Sequence, residues 1–241
     1  MKLLAFDTST EFISLAVTRD VAGHAQVWEH TGAGGAQASA TLIPAIEALL
    51  SRAGLALNEL DAIAYGNGPG SFTGLRTACA VAQGLGFGTG VPLLPVDTLL
   101  AVAEEARTQH AATLDTWHLL AVLDARMGEV YAAPYRYAQG QWQLESDFVL
   151  APPAQIPALP VQALAGNVFD DPTRVPTLVD LPYDASLPRW QAQPTAAAML
   201  RLAPGLLAAG QGIPAAQALP RYVRDKVALT TEERQLAKAA R

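Results

Sequence analysis

Short apolar runs and turn-forming residues alternate at the start of the chain. Residues 3–6, 13–18 and 61–65 each have the apolar composition of a β-strand, and residues 7–10 (DTST) are turn formers between the first two runs. The first two runs therefore predict a β-hairpin. A further apolar run at residues 91–96 predicts another strand or a strand-like connection.

Apolar residues recur at helical spacing between the second and third strands. Residues 42–53 predict an amphipathic surface helix, because their apolar side chains fall on one face. Ser39 or Thr41 is placed to cap the start of this helix, and Gly54 is placed to end it.

Two more helices are predicted further along the chain. Asp97 is placed to cap a helix over residues 98–110, and residues 194–209 again show helical spacing. Between these helices, nine of the seventeen prolines fall in residues 152–194, which predicts short strands and long loops there.

The order of strand, aspartate, turn and strand occurs a second time. Residues 119–123 are apolar, Asp124 follows, residues 126–129 form a turn pattern, and residues 130–137 resume strand character. This repetition predicts two related α/β units rather than a solenoid, whose repeats are much shorter. The alternation of strands and helices predicts a mixed α/β fold with helices covering the sheets.

We place the boundary between the two units near residue 105. This division predicts an N-terminal subdomain at residues 1–105, a C-terminal subdomain at residues 106–225, and a basic tail at residues 226–241. Lys and Arg outnumber Asp and Glu by three in residues 220–241, whereas the rest of the chain has a net charge of −9. The tail is either a solvated segment or a contact for an acidic partner or RNA.

The composition indicates a globular protein that does not bind nucleic acid by itself. The chain has 241 residues, is 51% hydrophobic and has a net charge of −6, which disfavours extensive phosphate contacts. Cys79 is the only cysteine, so disulfides within the chain and thiolate metal clusters are excluded. The uncharged residues 77–96 are interrupted by glycines and prolines, which disfavours a membrane span. The apolar start is too short for a secretory signal, so we expect a cytoplasmic protein.

Several catalytic chemistries lack their motifs. The four histidines include no pair three to five residues apart, so a single-helix metal pair is excluded. The glycine-rich residues 66–76 (GNGPGSFTGLR) could cradle a phosphate or let two backbones approach closely. They lack the lysine of a Walker A loop, and Thr73 occupies the third glycine position of a G-x-G-x-x-G loop. No G-x-S-x-G motif marks Ser71 as a nucleophile.

Five motifs occur in order along the chain: residues 3–17 (LLAFDTSTEFISLAV), 66–76 (GNGPGSFTGLR), 96–99 (VDTL), 123–135 (LDARMGEVYAAPY) and 220–224 (PRYVR). Together they resemble the TsaB (YeaZ) family, bacterial subunits for making threonylcarbamoyladenosine in tRNA. The string GPGSFTGLR is highly specific, whereas residues 151–190 match only loosely.

The resemblance implies the actin, sugar-kinase and Hsp70-like (ASKHA, ribonuclease H-like) fold, with two related α/β subdomains. Members of that fold bind ATP phosphates on the hairpin after the first strand. The candidate nucleotide-binding residues of this chain are therefore Asp7, Thr8, Ser9 and Thr10, with Ser9 in place of a glycine. The alternative is that Asp7 and Thr10 simply close a hairpin.

The resemblance also implies a non-catalytic role. TsaB proteins are similar to TsaD, the catalytic subunit that holds a metal on a His-x-x-x-His helix, but residues 37–41 (QASAT) contain no histidine. Many family members keep a His-Ser pair where this chain has Ala38 and Ser39. The implied protein is a scaffold that is homodimeric when alone and binds TsaD, with the ATPase TsaE as a further partner. TsaD then modifies N6 of adenosine 37 in tRNAs that read codons starting with A.

This role implies that ATP and metal are bound by the partner subunits rather than by this chain alone. It also implies that tRNA is contacted only through the complex. Two other functions stay open. A nucleotide-dependent phosphotransferase would use the shared fold and the DTST hairpin. A peptidase is suggested only by the older naming of related proteins as glycoproteases, and the chain lacks a nucleophile constellation for it.

Residues 74–88 form a helix pattern that is apolar almost all round, with only Arg76, Thr77 and Gln83 polar. A helix that is apolar on every face must be buried on every face, so either another protein or the second subdomain covers the face away from its own sheet. The small residues that permit close helix approach are Ala78, Ala80, Ala82, Gly84 and Gly86. The resemblance favours another protein. The predicted partner-binding residues are Gly70, Ser71, Phe72, Thr73, Arg76, Thr77, Ala80, Val81, Gly84 and Phe87.

Overall fold

A computed structural model describes residues 1–223 except residues 170, 172 and 174. Its described strands are β1 (Leu3–Asp7), β2 (Phe12–Val21), β3 (His24–Ala33), β4 (Ala62–Gly68), β5 (Leu93–Asp97), β6 (Thr116–Arg126), β7 (Glu129–Ala138), β8 (Gln141–Leu144), β9 (Val149–Ala151), β10 (Ala163–Gly166) and β11 (Arg189–Gln191). Its described α-helices are α1 (Ala38–Ala53), α2 (Phe72–Thr89), α3 (Thr98–His110) and α4 (Ala196–Ala208).

The strands form two mixed sheets with the same topology. The first sheet has the order β3-β2-β1-β4-β5, and the second has the order β8-β7-β6-β10-β11, with β9 also paired to β7. In each sheet an antiparallel hairpin, β1 with β2 or β6 with β7, is followed by two parallel strands. The predicted duplication of a hairpin-containing α/β unit is therefore confirmed.

Helices separate and cover the sheets in layers. Helices α1 and α2 bury apolar side chains against one face of the first sheet. Helix α4 covers the opposite face of that sheet, and α3 packs against the second sheet through residues such as Leu99 and Val102. Short turns between residues 153 and 187 cover the remaining face of the second sheet.

The local signals at two helix ends act as predicted. The carboxylate of Asp97 accepts a 3.0 Å hydrogen bond from the backbone N–H of Leu99 at the start of α3. Gly54 ends α1 with φ at 63°, a left-handed conformation that suits glycine. The predicted cap by Ser39 or Thr41 is wrong, because a 3-10 turn at Gly35–Gln37 leads into α1 and Gln37 occupies the N-cap.

Strand β3 was not predicted. It is an edge strand that pairs only with β2 in the described sheet, and its side chains are largely exposed. Because neither face of β3 is buried, its sequence (HAQVWEHTGA) lacks the alternation of apolar and polar residues that marks a half-buried strand.

The predicted boundary near residue 105 stays a prediction. Residue 105 lies within α3, and both α4 and the segment around Ile213, which pairs with Leu93, pack on the first sheet. The predicted tail at residues 226–241 lies outside the described residues. Among the helices described, none is long and apolar enough to cross a membrane.

Candidate functional site

The glycine-rich loop packs directly against the DTST hairpin. The backbone N–H of Ser71 donates a 2.8 Å hydrogen bond to the carbonyl oxygen of Ser9. A Cβ atom at Gly70 would lie 2.6 Å from Cβ of Ser9, and one at Gly74 would collide with the carbonyl oxygen of Thr8. The two motifs that the sequence presents separately therefore form one packed unit.

Two further glycines bring other backbone segments close to the same unit. A Cβ atom at Gly66 would overlap the carboxylate of Asp7. Gly68 has φ at 120°, and a Cβ atom there would lie 2.5 Å from the carbonyl oxygen of Arg221. The glycines at 68, 70 and 74 thus serve close backbone packing, the second of the two uses that the sequence allows, and Gly66 leaves room for the Asp7 carboxylate.

Asp7 lies beneath this unit and is 1% exposed. Its Oδ1 accepts hydrogen bonds from the backbone N–H of Ser9 at 2.8 Å and from the Ser9 hydroxyl at 2.6 Å, whereas its Oδ2 has no hydrogen-bond partner among the described residues. Burial raises the pKa of Asp7 to about 6, although the Ser9 hydrogen bonds act to lower it. Thr8 and Ser9 are also buried, so Thr10 is the only half-exposed member of the four candidates.

A cavity of about 340 Å³ separates the two hairpins. Thr10 and Glu11 line it from the first hairpin, and Asp124 and Arg126 line it from the second. Asp124 is itself engaged, because its carboxylate lies 3.2 Å from Arg126 Nη1. Within the described residues, no group of three or more His, Cys, Asp or Glu side chains could hold a metal ion.

Helix α2 begins immediately after the glycine loop. The hydroxyl of Ser71 accepts a 3.4 Å hydrogen bond from the N–H of Gly74 and so caps the helix. One face of α2 is buried on the first sheet; its members are Gly74, Leu75, Ala78, Cys79, Ala82 and Gly86. Three of the five small residues predicted to permit close approach by a neighbouring helix therefore pack inside the chain's own core.

The opposite face of α2 is open. Phe87 is 67% exposed and Phe72 is 43% exposed, and a Cβ atom at Gly84 would have no neighbour within 4 Å. Of the ten predicted partner-binding residues, Gly70, Thr77 and Val81 are half-buried and the other seven are exposed. The alternative in which the second subdomain covers this helix is therefore wrong. We call this open face of α2, with the preceding residues Gly70 and Ser71, the α2 surface.

Tyr222 extends the α2 surface and was not among the predicted site residues. The centre of its ring lies 5.1 Å from the centre of the Phe72 ring, and its hydroxyl accepts a 3.0 Å hydrogen bond from Nε of Arg76. The Arg76 guanidinium in turn lies 3.9 Å from the centre of the Phe72 ring. The motif PRYVR at residues 220–224 contains Tyr222 and could have pointed to it. It is the last of the five motifs that carry the family resemblance, but none of the predicted site residues lies in it.

Comparison with known proteins identifies relatives over nearly the whole chain. The chain is 35% identical over 237 residues to the tRNA threonylcarbamoyladenosine biosynthesis protein TsaB of Escherichia coli. The aligned region covers 95% of this chain and 96% of that relative. It is 42% identical over 134 residues to the protein of the same name from Haemophilus influenzae, a match that covers 54% of this chain and 52% of that protein.

A solved structure and a family model agree with these relatives. The structure of YeaZ from Pseudomonas aeruginosa superposes with a TM-score of 0.78 at 34% identity, over 92% of this chain and 99% of YeaZ. The family model described as TsaD, tRNA N6-adenosine threonylcarbamoyltransferase, matches residues 34–178. The predicted ASKHA-like fold is confirmed, and the chain belongs to the TsaB (YeaZ) family.

Proposed function

We propose that this chain is a non-catalytic accessory subunit for forming N6-threonylcarbamoyladenosine at position 37 of tRNAs that read codons starting with A. In this role it binds TsaD through the α2 surface, forms a homodimer through the same surface when alone, and joins a complex that includes TsaE. It acts in the cytoplasm, contacts tRNA only through the complex, and leaves ATP and metal to its partners. The names of its relatives support the pathway.

The open face of α2 is the observation that carries this proposal. Phe72 and Phe87 expose large apolar areas, and burying such a side chain contributes about 1.5–3 kcal/mol. Ala80 and Gly84 lie exposed between them along the helix, where the absence of bulky side chains lets a partner helix approach closely. The surface therefore combines apolar anchors with a small-residue centre, which suits packing against another helix.

The geometry of the DTST hairpin supports a non-catalytic role. Asp7 is buried and hydrogen-bonded to Ser9, and the Thr8 hydroxyl donates a hydrogen bond to the carbonyl oxygen of Gly74. These groups close the hairpin and hold the loop, and neither Asp7 nor Thr8 is among the residues that line the cavity between the two hairpins. The hairpin-closing alternative is therefore favoured over a phosphotransferase site.

Reconstitution tests the proposed function. The assay measures modified tRNA made by TsaD and its other partners with and without this chain, and by this chain alone. We expect product only when TsaD and this chain are both present. Equal product without this chain, or product from this chain alone, would contradict the accessory role. Titration calorimetry with ATP and Mg²⁺ on the isolated chain is expected to show no heat at millimolar concentration.

A further inference from the structure

The last described segment of the chain runs along α2 in the opposite direction. We name residues 215–223 the C-terminal strap. Near the end of α2, a Cβ atom at Gly86 would lie 3.0 Å from Cβ of Ala215. One turn earlier, Nε2 of Gln83 donates a 2.8 Å hydrogen bond to the carbonyl oxygen of Ala218. The strap is therefore held against α2 along most of the length of the helix.

Arg221 anchors the strap to both sheets. Its backbone N–H donates a 2.7 Å hydrogen bond to the carbonyl oxygen of Asn67, in β4 of the first sheet. Its guanidinium lies 4.0 Å from the centre of the Phe148 ring, which packs with the core of the second sheet. Asp97 is half-buried, and its Oδ2 accepts a hydrogen bond from Tyr135 in β7. Desolvation raises the pKa of Asp97 to about 6, whereas the hydrogen bond from Tyr135 and, to a smaller extent, the Arg221 charge act to lower it.

The residue after this anchor belongs to the α2 surface. Tyr222 contacts Phe72 and Arg76 at the start of α2, and Val223 turns back to pack with the core of the second sheet. Arg221, Tyr222 and Val223 also line the cavity between the two hairpins. Three consecutive residues thus contact the cavity, both sheets and the α2 surface.

We propose that the C-terminal strap couples the spacing of the two sheets to the arrangement of the α2 surface. Movement of the second sheet away from the first pulls on Arg221 through Phe148, and this displaces Tyr222 from Phe72 and Arg76. Coupling between two sites is reciprocal, so a partner that holds Phe72 and Arg76 in place also restrains the cavity. The consequence for partner binding rests on the proposed function, whereas the coupling within the chain does not.

Hydrogen exchange on the isolated full-length chain tests the coupling. Arg221→Ala and Phe148→Ala each remove the cation–π contact that links Arg221 of the strap to the second sheet, and neither changes α2. We expect amides at residues 72–76 to exchange about fivefold faster in both variants, as loss of one cation–π contact implies. Leu150→Ala is the matched control, because Leu150 packs with the same core, whereas the ring that the Arg221 guanidinium contacts is that of Phe148.

Unchanged exchange at residues 72–76 in Arg221→Ala overturns the inference, whether or not the strap itself opens. This variant alters an exposed residue, so it keeps the test decisive if Phe148→Ala fails to fold. Acceleration at the same residues in Leu150→Ala would also overturn it, since the effect would then be general loosening. Affinity for TsaD is measured separately with Gly84→Arg. If the proposed function is wrong, Gly84→Arg should not lower the affinity for TsaD, and the exchange result would be unaffected.

Discussion

The hydroxyl of Thr8 donates a 2.6 Å hydrogen bond to the carbonyl oxygen of Gly74, which lies 66 residues further along the chain. This bond joins the hairpin after the first strand to the first turn of α2. Because Thr8 is fully buried, the joint is shielded from water and holds the start of the α2 surface in a fixed position. The glycine-rich loop therefore positions a helix rather than a phosphate.

Gly74→Ala is expected to destabilise the protein, because its Cβ atom would collide with the backbone oxygen of Thr8. We expect the free energy of unfolding to fall by about 1–3 kcal/mol, the range for overpacking. Gly84→Ala is the matched control in the same helix, and it should raise stability by about 0.5–1 kcal/mol because the site is open. Urea denaturation measures both. Similar effects of the two substitutions would show that Gly74 is not required for close packing.

Asp7→Asn is expected to raise stability above pH 6. Burial raises the pKa of Asp7 from 3.8 to about 6. Between about pH 4 and pH 6, Asp7 is therefore protonated in the folded state and ionised in the unfolded state. The stability that this proton contributes is full below about pH 4 and is lost as pH rises through about 6. An amide avoids burying the charge and keeps an oxygen for Ser9, so we expect a gain of roughly 1–3 kcal/mol at pH 7.5.

Thermal unfolding from pH 4 to pH 8 measures this effect. The Asp7→Asn profile should decline less between pH 4 and pH 6 than that of the parent. It should still decline in part, because burial also raises the pKa of Asp97 to about 6. Asp115→Asn, at an exposed position, controls for the loss of one negative charge. A profile for Asp7→Asn that parallels the parent would contradict the assignment.

Glu104→Gln is expected to weaken the junction between α3, α4 and the second sheet. Glu104 is 3% exposed and accepts hydrogen bonds from Arg107 at 2.9 Å, Trp142 at 2.9 Å and Arg201 at 3.1 Å. Burial alone would raise the pKa of Glu104, but the bonds from Arg107 and Trp142 and the arginine charges hold it below its ordinary value. Removing the charge leaves Arg107 without its ionic partner, so we expect a loss of roughly 3 kcal/mol near neutral pH.

Chemical denaturation at pH 7.5 and at pH 4 distinguishes this ionic effect from simple loss of packing. A lowered pKa contributes stability at high pH, and that contribution is lost as pH falls through the folded value. The difference between Glu104→Gln and the parent should therefore shrink at the lower pH. Glu47→Gln, on the exposed face of α1, should change stability by no more than about 0.5 kcal/mol at either pH.

The sequence predicted those elements whose signals are local. The two hairpins, the cap at Asp97 and the stop at Gly54 each depend on a few neighbouring residues, and all four are present. Strand β3 was not predicted, because an exposed edge strand has no apolar periodicity to detect.

The candidate site was only partly predictable for a different reason. The composition of α2 showed that it needed cover on two faces, but only the structure shows which small residues point inwards, as Ala82 does, and which stay open, as Gly84 does. Contacts such as that between Tyr222 and Phe72 join residues that are far apart in the sequence, so no local sequence pattern predicts them.

The affinity of Gly84→Arg for TsaD is the most direct test of the α2 surface. Arginine at this open position should leave the fold intact but block approach by a partner helix, so we expect affinity to fall at least about 30-fold and the homodimer to dissociate. Gly205→Arg is the matched control, since Gly205 is also an exposed, open helical glycine but lies in α4. Calorimetry measures the affinity, and light scattering measures the dimer. Undiminished TsaD binding and dimerisation by a folded Gly84→Arg protein would contradict the account.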